Sequence, residues 1–428
     1  MWFGCSSGGF RAIAGGRSPY AWEPERMTVL ARNTPWSQVW TEHEDTAATG
    51  WLRRVLTVGM AWLIIGMAVM PAGVSYNPSK AYQAVLALTL WLPTIVLIAM
   101  RPHRFIQLLK QSPMPWVMVL LAWGWLSLAW SHAPHRGDEA TRNLSVLLFL
   151  VASQWVFGGN GRRTQWLLIG CSFVLAAVAI LDMLNFASHP PTDGRLIGIG
   201  VMANANLAAA GMGAALIWLW PWRFDRWGWN IARWMAVAIL ALFVLLTFTR
   251  SAWAALFVAL VVMALCDGGR RAWIYAGMIC LMGLLGVALG FNVLMERGLS
   301  LRPQIFAGAL HLFLQHPLRG LGQGTSFTIA AGNEVLDHAH NMFAQLAIEL
   351  GLPALLLWAG IWLALGWRAW RHRHDGLGLL VLGLWVFGSI AVQFDLPHLL
   401  DSPRPGWLIT WLPLALSMTF QRSIARNV

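Results

Sequence analysis

Long apolar runs separated by short polar segments make up the chain after residue 50. A helix that spans a bilayer needs about 20 apolar residues, and twelve runs in this chain approach that length. They lie near residues 55–73, 81–100, 114–131, 143–158, 166–186, 201–220, 231–248, 251–266, 272–290, 344–366, 377–394 and 407–421. The pattern therefore predicts an all-α polytopic membrane protein with about twelve transmembrane helices.

The seventh and eighth runs need a separate argument, because residues 231–266 are almost continuously apolar. One helix over this range would be about 54 Å long, which exceeds a hydrocarbon core of about 30 Å. A polar patch, Thr247–Ser251, lies at the centre, and arginines flank both ends of the run. We therefore predict two short spans joined by a tight turn at residues 247–252.

The composition excludes a soluble globular protein. Of the 428 residues, 57% are hydrophobic and only 11% are charged, and the mean hydropathy is +0.57, whereas soluble chains carry about 25% charged residues. The net charge of +12 is spread over short loops between apolar runs, so it does not indicate a nucleic-acid-binding surface. Lipids, not nucleic acids, are the expected surroundings.

The distribution of basic residues predicts the orientation of the spans. If the first segment is cytosolic and the spans alternate, the inside segments hold 21 of the 30 Lys and Arg residues, as the positive-inside rule requires. Both termini are then cytosolic. The predicted regions are a cytosolic tail (1–50), spans one to nine (51–290), one large external loop (291–343), and spans ten to twelve with a short tail (344–428). Met27 is an alternative start of the chain.

Charged residues on the outer side are the first candidates for function. Arg250 lies at the predicted turn inside an apolar run, where an ionisable group is costly and often functional. The alternative is an arginine that reaches lipid headgroup phosphates. Asp182 is the one acid expected near the middle of the membrane, and we interpret it as a hydrogen-bonded polar residue of the core.

The external loop contains a predicted amphipathic helix between Pro303 and Pro317. Its apolar stripe comprises Ile305, Phe306, Ala309, Leu312 and Phe313, which is also the pattern of a helix resting on the membrane surface. Arg302 stands at its first turn, where free N–H groups suit a phosphate. The following glycine-rich segment, 320–324, reads as a flexible turn; it lacks the Gly-Lys-Ser/Thr of a nucleotide-binding loop.

The segment Asp337–Asn341 (DHAHN) directly precedes the tenth span and allows three interpretations. Asp337, His338 and His340 have the residue types of a metal site. Polar residues at this position also cap helices. Histidine titrates near neutral pH, so catalytic acid–base use is the third possibility.

These motifs together resemble the O-antigen ligase and polymerase superfamily. His340-Asn341, nine residues and then Gly351 match the ligase pattern of His, Asn/Ser/Gln, nine residues and Gly; Ala354 departs from it, since Gly, Thr or Tyr is usual there. Three further segments are similar to the family's arginine motifs, in the same order. They are Arg195–Leu207, Thr249–Ala252, and Arg302–Phe306 with His316–Gly322 after it.

The resemblance implies an architecture like that of GT-C glycosyltransferases and a reaction on the periplasmic side of a bacterial inner membrane. The donor would be O-antigen polysaccharide on undecaprenyl diphosphate, and the acceptor a sugar hydroxyl of lipid A–core. No cofactor and no metal are expected. The implied site residues are His340 as base with His338 as the second candidate, Arg195, Arg250 and Arg302 at the diphosphate, and Asn206, Arg319 and Asn341 in support.

Three other functions remain open at this point. A polymerase of the same superfamily would use the same lipid donor but extend the O-antigen chain. A secondary transporter commonly has twelve spans, yet here the longest loop lies outside, between spans nine and ten, and not between two six-span halves. A structural membrane scaffold would leave the external arginines and histidines unexplained.

Overall fold

The computed structural model describes residues 46–71, 78–267, 273–274, 276–277, 280–281 and 301–420. Residues 1–45, most of the ninth predicted span and residues 291–300 lie outside this part of the chain. The predictions for the N-terminal tail, for the ninth span and for the first part of the external loop are therefore not addressed by the fold.

Helices dominate the described residues. The first half contains α1 (Ala47–Val69), α2 (Lys80–Leu86), a π-helical segment (Ala87–Trp91), α3 (Leu92–Met100), α4 (Pro102–Leu109), α5 (Met114–Ser127), α6 (Arg136–Phe157) and α7 (Gly161–Ser188). The second half contains a 3₁₀ turn (Gly200–Met202), α8 (Ala205–Leu219), α9 (Trp227–Leu246), α10 (Arg250–Asp267), α11 (Arg302–Gln315), β1 (Ile329–Ala331), β2 (Glu334–Leu336), α12 (Met342–Arg371), α13 (Gly376–Ala391), α14 (Pro405–Ile409) and α15 (Trp411–Ser417).

Seven helical stretches of the described chain are long and apolar enough to cross a membrane, so the polytopic all-α class is confirmed. They are α1, the continuous stretch Lys80–Met100, α6, α7, α9, α10 and α12. Helices α5, α8 and α13 coincide with predicted spans but are shorter. The last predicted span is divided at Thr410, where Pro413 lacks the N–H that would bond to the carbonyl of Ile409. The count of twelve remains a prediction.

The break predicted within residues 231–266 is present. Helix α9 ends at Leu246 and α10 begins at Arg250. The Thr247 hydroxyl bonds to the Val244 carbonyl at 2.7 Å, and Phe248 has a φ of +49°, so the chain leaves the helical path between them. Helix α10 then packs mainly on α13, so the two halves of the apolar run are separate helices.

The predicted helix of the external loop forms, but it rests on protein. Ile305 and Ala309 are buried in a small second core with Ile329 and Ala339, whereas Phe306 is 58% exposed. The strands β1 and β2 form an antiparallel hairpin in the register Ile329↔Leu336, which the all-α prediction did not include. The loop region therefore has a core of its own, beside α12.

The glycine-rich segment is not the flexible turn that its composition suggested. The N–H of Gly322 bonds to the Glu349 carbonyl at 2.8 Å, and the N–H of Leu352 bonds to the Pro317 carbonyl at 2.8 Å. Between these points α12 is interrupted at Gly351, with φ +73° and ψ −174°. A Cβ there would lie 2.4 Å from the Leu318 carbonyl oxygen, so only glycine permits this contact.

Asp182 also corrects an interpretation made from the sequence. It is buried in α7, but its Oδ2 atom has no hydrogen-bond partner among the described residues. The expectation of a hydrogen-bonded core residue is therefore wrong for this oxygen, which faces Gly198, a residue without a side chain that could donate a hydrogen bond.

A candidate active site at one end of the bundle

Five helix ends from distant parts of the chain meet at one end of the bundle. Helix α8 starts beside Asn206, α9 ends before Thr247, and α10 starts at Arg250. Helix α12 starts after His340, and α13 ends before Asp395. Because neighbouring helices of the second half run in alternate directions, these ends come to the same side, as the predicted topology requires.

The two histidines lie side by side. The rings of His338 and His340 have centroids 3.9 Å apart, and both precede the first turn of α12. The chain is not yet helical here, since His340 has a φ of +49°. Asn341 caps α12: its side-chain oxygen accepts from the N–H groups of Phe343 and Ala344 at 2.9 and 3.0 Å. The capping interpretation therefore holds for Asn341 and leaves both imidazoles facing the cluster.

Asp395 is the central acid of the cluster. Its Oδ1 lies 3.7 Å from His340 Nδ1, and its Oδ2 accepts a hydrogen bond from the Asn206 side chain. Burial opposes the charged form of this carboxylate, but the His340 ring, the Leu396 N–H and Asn206 together bring its pKa below the ordinary value. An ionised carboxylate thus links a histidine directly before the tenth predicted span to an asparagine of the sixth.

Asp395 was missed in the sequence analysis. It stands directly after the eleventh apolar run, at the end that the sequence predicts to be external, where an ionisable residue is a candidate for function. Its position at the end of an apolar run could have identified it. However, a single acid in a short loop has no spacing pattern that distinguishes it from other loop residues.

Arg195 lies at the edge of the same cluster and joins three chain segments. Its Nη2 donates to Asn206 Oδ1 at 2.8 Å and to Thr249 Oγ1 at 3.0 Å. Its Nε donates to the Thr247 carbonyl at 3.0 Å, and the next residue, Leu196, bonds to Leu246. The predicted diphosphate ligand therefore holds the turn before α10 in position.

Arg250 and Arg302 are the cations placed at the first residues of two helices, α10 and α11. The Arg302 guanidinium lies 4.8 Å from the centre of the Phe394 ring. Burial and the charge of Arg250 bring the pKa of Arg302 down, while Asp395 opposes this change. The charge of Arg302 therefore interacts with the charges of both Arg250 and Asp395. Arg319, in contrast, is exposed in the turn after α11 and is not brought into this cluster.

The described residues contain one group suited to a metal ion, and it differs from the triplet considered from sequence. His338, His340 and Asp395 offer ligand atoms that all lie within 4.8 Å of one another. Asp337 instead points to the outside, with its side chain 89% exposed, and its Oδ1 lies 2.6 Å from His338 Nδ1. Burial lowers the pKa of His338, although Asp337 opposes this shift.

A third histidine connects the pair to a second set of charges. The His398 ring centroid lies 6.3 Å from that of His338, and its Nδ1 lies 3.8 Å from Glu349 Oε1. Burial opposes the charged ring, but Glu349 and the nearby Asp401 together raise the pKa of His398. Asp401 is in turn paired with Arg404 at 3.0 Å and with Arg142 at 3.4 Å. These charges form an ionic network beside the histidine pair.

The chain is also similar to known proteins. Residues 235–359 match the family model described as O-Antigen ligase; this segment contains Arg250, Arg302 and His340. Over 376 residues the chain is 29% identical to an O-antigen ligase of Pseudomonas aeruginosa, covering 86% of this chain and 88% of that protein. At this coverage the match extends beyond the family segment and includes Arg195 and Asn206. The chain is therefore similar to an O-antigen ligase over most of its length, and residues 235–359 match the family model of that description.

Proposed function

We propose that this protein transfers O-antigen polysaccharide from undecaprenyl diphosphate to a sugar hydroxyl of lipid A–core, at the periplasmic face of a bacterial inner membrane. The observation that carries the proposal is the position of Asp395. One of its oxygens faces His340 and the other binds Asn206. Asn206 also accepts a hydrogen bond from Arg195, so Asp395 connects the candidate base to an arginine of the site.

His340 is the proposed general base. With Nδ1 turned toward the ionised Asp395, the ring keeps its proton on that nitrogen and leaves Nε2 free to accept a proton. A base at this position takes the proton of the acceptor hydroxyl as the hydroxyl oxygen attacks the anomeric carbon. The new glycosidic bond forms as the sugar–phosphate bond breaks, which inverts the anomeric carbon.

Arg250 and Arg302 are proposed to stabilise the leaving diphosphate. Charge accumulates on this group as the sugar–phosphate bond breaks, and guanidinium groups bind phosphate through two parallel hydrogen bonds. Both side chains stand at helix starts, where backbone N–H groups also favour an anion. We assign Arg195 a positioning role, because three of its hydrogen bonds go to the protein.

The orientation of the molecule belongs to the same proposal. The positive-inside count places this end of the bundle on the periplasmic side. The same count places both termini in the cytosol. Labelling of a cysteine placed at Ser251, beside Arg250, tests it: a membrane-impermeant reagent added from the periplasmic side should react. Reaction from the cytosolic side alone would reverse the topology.

The decisive experiment supplies purified protein with a lipid-linked O-antigen, with and without lipid A–core. Glycan joined to lipid A–core supports the ligase. Longer lipid-linked chains formed from the donor alone would instead indicate the polymerase. A parallel reaction with a chelator tests the metal prediction: unchanged rate is expected, whereas loss that added zinc restores would assign His338, His340 and Asp395 as ligands.

A further inference from the structure

A cavity of about 300 Å³ lies at the opposite end of the helices that carry the candidate site. It is formed where α8 and α13 approach the start of α9 and the end of α10. Its lining includes Trp220, Arg223, Asn230, Arg233, Trp234 and Asp267. Helix α9 has 20 residues and is therefore about 30 Å long, which is the thickness of a bilayer core. The cavity and the candidate active site thus lie at opposite membrane interfaces.

The wall of this cavity carries net positive charge. Arg223 is paired with Asp267, with Nη2 and Oδ2 2.9 Å apart. Arg233 is buried; its Nη1 donates to the carbonyls of Trp220, at 2.9 Å, and Leu219, at 3.3 Å. Among the residues that line the cavity, Asp267 is the one acid, so two guanidinium groups face a single carboxylate.

The adjacent turn does not change this balance, since Asp225 and Arg226 carry opposite charges. The Arg233 guanidinium also lies 4.5 Å from the centre of the Trp234 ring, and Trp234 makes an edge contact with Trp220. A positive charge is therefore held beside aromatic rings at the level of the headgroups, where tryptophan is commonly found.

An apolar groove of about 520 Å³ continues from the cavity along the outer face of α9. Asn230 and Trp234 line both spaces, and the groove adds Trp227, Ile231 and Met235. Trp227 is 79% exposed and Met235 59%, so this face is open to lipid. A polar cationic pocket thus merges with an apolar channel that leads toward the membrane centre.

We propose that this cavity and groove bind an anionic phospholipid of the cytosolic leaflet, with its phosphate at Arg223 and its acyl chains along Ile231 and Met235. Arginine binds phosphate oxygens through its paired donors, and basic pockets between transmembrane helices on the cytosolic side bind anionic lipid headgroups. The site takes no part in glycan transfer, so the inference goes beyond the proposed function; its assignment to the cytosolic leaflet rests on the orientation given there.

Native mass spectrometry of the purified full-length protein tests this site. The protein, in a neutral detergent, is titrated with phosphatidylglycerol or with phosphatidylcholine of the same acyl chains. Phosphatidylglycerol should bind more tightly. Arg223→Gln should weaken its binding about fivefold, the effect expected for one basic residue near an anionic lipid. Asp267→Asn should tighten it, which a merely damaged fold would not do.

Arg371→Gln is the matched control, because Arg371 is an exposed arginine at the same end of the bundle but outside the cavity lining. It should leave the affinity unchanged. Equal binding of the two lipids, or equal effects of Arg223→Gln and Arg371→Gln, would overturn the proposal. Competition by glycerol phosphate at the same concentration as the lipid would also overturn it, since the groove would then contribute nothing.

Discussion

The Nδ1 atom of His340 lies 3.7 Å from Oδ1 of Asp395, and this relationship yields the first prediction. Asp395→Asn should reduce glycan transfer roughly 10²-fold or more, because a base without its orienting carboxylate loses much of a contribution of about 10²–10⁴. The measurement is ligated product per unit of membrane-inserted protein. Asp337→Asn, at a carboxylate 89% exposed, serves as control and should change the rate little. Similar losses of activity in both variants would contradict a specific role of Asp395.

The second prediction concerns the histidine pair. His340→Ala should abolish detectable transfer, whereas His338→Ala should weaken it less. The reason is that His340 is the histidine whose Nδ1 atom faces Asp395. The rings are only 3.9 Å apart, so both variants must be compared at equal protein level. A His340→Ala protein that works at near wild-type rate would contradict the base assignment.

The third prediction separates charge from geometry at the leaving group. Arg250→Ala and Arg302→Ala should each lower the rate by roughly 10²–10³, as for loss of one preorganised donor. The corresponding lysine variants should recover only part of it, since an ammonium group cannot form the paired hydrogen bonds. Arg319→Ala, at an exposed residue outside the cluster, is the control. Full activity in both lysine variants would show that Arg250 and Arg302 act only through their charge and not through paired hydrogen bonds.

The fourth prediction assigns Arg195 to positioning. Arg195→Lys should lower the thermal unfolding midpoint in detergent as well as the activity, because one ammonium group cannot satisfy acceptors on Thr247, Asn206 and Thr249 together. Each buried acceptor left without a donor costs about 1–3 kcal/mol. Arg250→Lys should leave the midpoint near wild type. An unchanged midpoint in Arg195→Lys would favour direct diphosphate binding.

The fifth prediction is a pH dependence of stability. The pKa of His398 is raised above 6.5 by Glu349 and Asp401 against the effect of burial, so its charged form stabilises the fold. This contribution is complete below about pH 6.5 and disappears as the pH rises through the folded-state value. His398→Gln should therefore lower the unfolding midpoint more at pH 6 than at pH 9.

Glu349→Gln tests the cause of that dependence. Without the carboxylate 3.8 Å away, the difference between His398 and its Gln variant should become smaller at pH 6. A difference that is equal at both pH values would show that His398 contributes through packing alone.

The helices and the motif residues could be predicted from the sequence, but the contacts between them could not. The run at 231–266 was divided correctly because its length and its central polar patch conflict with a single span. His338, His340, Arg195, Arg250 and Arg302 became candidates because they stand in a recognisable order, and their roles stay predictions.

Asp395 and the role of Arg195 depend on which helix ends meet. That is a property of packing between residues distant in sequence, and local pattern does not encode it. The glycine-rich segment shows the same limit, since composition indicated flexibility and the hydrogen bonds to Glu349 and Ile348 exist only in the folded bundle.

The contact between Gly351 and the Leu318 carbonyl has a consequence for exchanging parts between related enzymes. A side chain at position 351 would collide with that carbonyl, and the N–H of Leu352 bonds across the same junction. The segment after α11 and the middle of α12 therefore form one structural unit. A chimaera that exchanges the external loop should take residues 301–353 whole; a junction placed between residues 318 and 351 would join two surfaces that were never fitted to each other.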